Sequence, residues 1–143
     1  MQSLRSVPFI CLLLTTVLLV LPGCKIEIRV PQQGGSVVSS DGAYVCEAGQ
    51  TCMIDVVDLF FDETFIAQPA HGYAFNRWKE DDSYLCGGDT EPCKLSTASF
   101  EGSAALMSIL ESDEVFFLAP RFVWTPYCPD PELVVSPSPG FTD

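Results

Sequence analysis

Residues 64–78 read TFIAQPAHGYAFNRW. Thr64-Phe65-Ile66-Ala67 has the β-branched and aromatic content of a strand, and Pro69 stops it. Pro69 and Gly72 bracket a turn: proline fixes φ, and glycine is free to take a positive φ. Tyr73 and Phe75 then fall two residues apart, on one face of a second strand, with Trp78 just beyond. Rings of that size supply much of the core of a small domain. The competing reading is an aromatic patch that faces a ligand. The stretch predicts a β-hairpin and a mainly β fold.

The flanks extend the pattern. Ile26, Ile28 and Val30 alternate with Lys25, Glu27 and Arg29, a strand with one packed face that Pro31 ends. Gly34-Gly35 predicts a turn, Val37-Val38 a short strand, and Asp41-Gly42 a tight hairpin turn before Tyr44-Val45-Cys46. Met53 to Phe61 is apolar apart from Asp55 and Asp58; its β-branched residues and phenylalanines favour a strand. Asp81 to Asp89 reads as a surface loop. Ser103 to Leu110, SAALMSIL, is the one helical octet, with part of a strand as the alternative reading. Glu114 to Ala119 predicts a last strand, ended by Pro120. Six of the residues from Pro120 to Asp143 are proline, so the tail is expected to be irregular.

The beginning of the chain is of another kind. Phe9 to Leu21, FICLLLTTVLLVL, is thirteen residues without a charge. That is short for crossing a bilayer and suits the apolar part of a signal peptide. It runs into Leu21-Pro22-Gly23-Cys24, which resembles the lipobox of bacterial lipoproteins. Leu21, Gly23 and Cys24 match that pattern, and Pro22 departs from the usual small residue. The resemblance implies cleavage before Cys24, diacylglycerol on its thiol and a lipid anchor to the membrane. Lys25 in place of aspartate implies the outer membrane if the host is diderm, facing periplasm or exterior. Two or three acyl chains anchor stably where one binds marginally. An ordinary secreted chain and an uncleaved helix over 7–21 are the alternatives; Pro22-Gly23 breaks the helix early.

Cleavage leaves 120 residues, enough for one small domain. The whole chain carries a net charge of −12, and loss of Arg5 makes the remainder more acidic still. Such a charge opposes nucleic acid, whose phosphates need cations, and opposes anionic lipid surfaces. Five cysteines follow Cys24. Export would place them in an oxidising space. Cys46–Cys52 and Cys86–Cys93 would each close a short loop, with Cys128 left odd. Cys128 could instead take one of the four, or bridge two molecules.

The segment Ala67, Pro69, Gly72, Tyr73, Phe75 and Trp78, followed by Cys86, Gly88 and Cys93, resembles the bacterial extracellular repeat related to the divergent B-repeats of internalin-type surface proteins. Val115, Phe117 and Ala119 resemble its closing strand, with Phe122 displaced by Pro120-Arg121. Gly35-Ser36-Val37 and the cysteines at 46 and 52 are similar to its opening. The likeness covers residues 26–122, but residues 94–114 are longer than the family's link, and only one unit is present. It implies a small β-grasp-like unit with a structural or adhesive role and no catalytic residues. The expected organisation is a signal peptide at 1–23, one β-rich domain at 24–122 and a Pro-rich tail at 123–143.

Chemistry is sparse. His71 is the only histidine; it sits in the Pro69–Gly72 turn, without a G-x-S-x-G elbow. Asp55, Asp58, Asp62 and Glu63 form one acidic group, and Glu80, Asp81 and Asp82 another. Neither has calcium-loop spacing; a weak calcium contact at Asp81–Asp82 is the alternative, and a solvated acidic face is the better reading. No metal or cofactor is expected. The residues point to a lipid-anchored envelope module, structural or binding, with the membrane and an envelope protein or glycan as partners and no enzymatic activity. The alternative is a small envelope enzyme, or an accessory subunit of one, with a pocket near His71.

Overall fold

The structure, a computed structural model, describes residues 23–126. Residues 1–22, where a signal peptide is expected, and residues 127–143, with Cys128, lie outside those residues. The fold is mainly β, with short hairpins and a single α-helix among the described residues.

Strand β1 (Cys24–Arg29) runs through the centre of a three-stranded sheet. It pairs antiparallel with β4 (Thr51–Val56) and parallel with β8 (Val115–Leu118). Alternation decides which face is packed: Cys24, Ile26 and Ile28 are buried, and Val30 continues the row. The intervening charges go to the other face. There the Arg29 guanidinium pairs with Glu27 and lies 4.0 Å above the ring of Phe117.

A four-stranded antiparallel sheet orders β3 (Val45–Cys46), β2 (Gly35–Ser39), β5 (Asp62–Pro69) and β7 (Cys93–Ser96). The hairpin between β2 and β3 turns at Asp41-Gly42, as expected. The Asp41 carboxylate accepts from Ser39 Oγ at 2.6 Å and from the Ala43 amide at 2.9 Å. These hydrogen bonds, the serine's foremost, hold its carboxyl below the usual range.

The third sheet pairs β6 (Tyr73–Trp78) with β9 (Pro120–Trp124). Its register shifts between Phe75 and Arg77. That bulge inserts one residue, and the extra step brings Trp78 into phase with Phe75. The two rings meet edge-on at 5.3 Å. Trp78 is completely buried, and its indole N–H donates to the Glu91 carbonyl at 2.8 Å.

Helix α1 (Ala104–Leu110) falls on the expected octet. Ser103 caps it, its side chain accepting from the Leu106 amide, and Leu110 enters the core.

Two expectations need correction. The strand over Met53–Phe61 stops at Val56, where its partner β1 begins at Cys24. Beyond it, Asp58 bonds the Phe60 amide at 2.9 Å and forms a turn. The strand expected over 114–119 does end before Pro120, with β8 stopping at Leu118, but Pro120 then opens a further, unexpected strand, β9, against β6. Ordered pairing therefore runs to Trp124, two residues beyond the expected limit of the domain.

Candidate functional site

Two places stand out, at opposite ends of β1. Its six residues separate them by about 17–20 Å, at roughly 3.3 Å per residue.

At the first, Cys24 opens β1 opposite Val56. The Lys25 amide next to it donates to the Glu114 carbonyl at 2.8 Å. The Cys24 side chain is buried, with its sulfur 3.8 Å from the Val56 carbonyl. Burial pushes its thiol up, and the charge of Glu114 adds to the effect; the backbone hydrogen bond and Lys25 oppose it. A free thiol here is therefore neutral and a poor nucleophile. Cys24 also lines a largely apolar cavity of about 350 Å³, with Ile26, Val56, Phe61, Phe100, Ile109 and Phe116 among its walls.

Beside Cys24 lies the loop after β4. A Cβ placed on Gly23 would come within 2.9 Å of a Val57 methyl, so the two segments are in contact. Val57 is 52% exposed and Phe60 90%. The acidic residues Asp62 and Glu63 follow at the start of β5. Burial raises the Glu63 carboxyl above its ordinary value, and the charges of Asp41 and Asp62 raise it further.

At the far end is a groove of about 510 Å³, lined by Gln32, Gln33, Gln68, Glu47 and Tyr73 and by the Gly34-Gly35 backbone. The Tyr73 hydroxyl donates to the Gln33 side-chain oxygen at 3.0 Å. Trp124, 62% exposed, meets Tyr73 edge-on at 5.2 Å. Gly72, at φ +80°, makes room for it: a Cβ there would lie 2.7 Å from the indole. Amides both donate and accept, and Glu47 adds a carboxylate, so this lining offers hydrogen bonds to a polar ligand and disfavours an anion.

The disulfides Cys46–Cys52 and Cys86–Cys93 both form. The first joins β3 to β4 and so staples two sheets together. The second ties the loop after β6 to β7. The aromatic motif divides: Trp78 is core, Phe75 is half-buried between Trp78 and Phe122, and Tyr73 belongs to the groove. Pro69 is exposed at the end of β5 and borders the same groove. His71 is exposed and lines neither cavity. No group of three or more histidine, cysteine or acidic side chains is placed to hold a metal among the described residues.

Sequence reasoning passed over Phe60, Gln33 and Trp124. Phe60 sat within an apolar run read as strand, Gln33 before a glycine turn, and Trp124 in a segment assigned to the tail. Comparison of the chain with family models, curated proteins and solved structures gives no match.

Proposed function

We propose that this chain is a bacterial lipoprotein, cut before Cys24 and carried on the membrane by lipid on that residue. Its domain is a non-enzymatic binding module of the cell envelope, similar to the extracellular repeats. The observation that carries the reading is the coincidence of the lipobox cysteine with the first residue of β1. Cleavage before Cys24 leaves every described strand intact. The polar groove then lies at the end of β1 remote from the anchor, where it can meet an envelope protein or glycan.

The experiment is a Cys24→Ser variant of the full chain in a bacterial host fed labelled palmitate. The wild type is expected to take up label and to sediment with the membranes, with the outer membrane if the host is diderm. The variant should remain an unlabelled precursor. Normal processing and membrane retention of the variant would refute the anchor.

A further inference from the structure

We infer that the loop 57–61 is a second membrane contact, which lays the domain against a zwitterionic bilayer surface beside the lipid of Cys24. The inference rests on the anchor proposed above and adds an orientation to it.

The first ground is the lack of a spacer. Cys24 is already paired to Val56 and buried, so a lipid on its sulfur starts within the fold. Whatever surface adjoins Cys24 must then lie close to the headgroups. That surface is the loop after Val56, the residue that faces Cys24 in the β1–β4 pair.

The second ground is what the loop displays. A single exposed apolar side chain is ordinary. Here Phe60 is 90% exposed and Val57 52%, in one short loop at the anchor. The exposure is held in place. Thr97, itself buried, donates its hydroxyl to the Asp58 carbonyl at 2.9 Å and its amide to the Phe61 carbonyl at 3.0 Å. The Asp58 side chain takes the Phe60 amide. The loop is thus bonded at its base while the Phe60 ring stands free. An apolar side chain displayed this way gains by entering the boundary between headgroups and acyl chains.

The third ground is charge. Asp58 and Asp62 flank the ring, Asp62 paired with Lys94 at 3.7 Å, and the whole chain carries −12. Acidic flanks are repelled by anionic lipid. They commit the contact to zwitterionic headgroups and keep the insertion shallow.

The test uses the full lipidated chain, purified from membranes and reconstituted in phosphatidylcholine vesicles. Trp124→Phe removes the exposed indole, Phe60→Trp places a reporter in the loop, and the remaining Trp78 is buried. In vesicles, the indole at position 60 should shift to shorter wavelength. Phosphatidylcholine brominated near the top of the acyl chains should quench it at least twofold more than it quenches Trp124 in the wild-type protein. If the protein fails to float with vesicles or carries no lipid by mass, the anchor fails and this inference with it. If it floats, lipid attached, and the position-60 indole keeps the emission of a water-exposed ring, only the second contact is refuted. A blue shift without bromine quenching, dependent on protein concentration, would also refute it, and would assign the loop to contact between copies of the chain.

Discussion

The two ends of β1 are built for different ends. Around its C-terminal end the sheets are stapled by Cys46–Cys52, and rings interlock from Trp78 through Phe75 to Phe122. Around its N-terminal end a cavity of about 350 Å³ remains, and Val57 and Phe60 face outward. The first region carries the staple and the buried rings, with Trp124 exposed beside it; the second carries Phe60, the most exposed apolar ring. Substitutions should therefore separate: those in the stapled region should unfold the domain, and those in the loop beside Cys24 should leave it folded.

The largest effect is expected at Trp78. Its ring is wholly buried and its N–H is bonded. Trp78→Ala should cost about 3–5 kcal/mol, read as a lower urea midpoint. A small domain has little more than that to lose. Replacing Cys46 and Cys52 together by alanine should cost about 2–3 kcal/mol by the loop-entropy argument. If it cost nothing, the staple between the sheets would not be what holds this end together.

Phe60→Ser tests the other end. With 90% of the residue already in solvent, it should move unfolding by no more than about 0.5 kcal/mol. A loss comparable to that at Trp78 would erase the contrast between the two regions.

The smallest effect is expected at Glu63, and its sign follows from its environment. Burial and the neighbouring Asp41 and Asp62 raise its carboxyl in the folded state. The fold holds that proton more tightly than the unfolded chain does. The resulting stability is complete below the unfolded value and is lost as pH rises through the folded one. Glu63→Gln, neutral throughout, should raise the melting temperature slightly near pH 7 and leave it unchanged near about pH 3. A decrease near neutrality would show that the charged form is favoured in the fold.

Much of this was legible in the sequence, for particular reasons. Alternation over 25–30 marks a strand because one face is packed and the other wet. Gly72 marks a turn because its φ is positive and Trp124 covers it. The short spacings of the cysteines anticipate both disulfides. What could not be read were features that depend on partners distant in the chain. The strand after Thr51 ends at Val56, opposite Cys24, the first residue of β1. Trp78 joins the face of Phe75 only through a bulge against β9. Pro120 changes sheets, which its local sequence presents as a stop. The groove draws Gln33, Gln68 and Tyr73 from three segments, and no local pattern joins them.

The central claim is that Cys24 is both the lipid site and the first residue of the fold. It is tested most directly by intact-mass and N-terminal peptide mass spectrometry of the protein purified from membranes. The account predicts a chain that begins at Cys24 and carries diacylglycerol on that residue. A chain that keeps residues before Cys24, or one in which Cys24 bears no lipid, would contradict it.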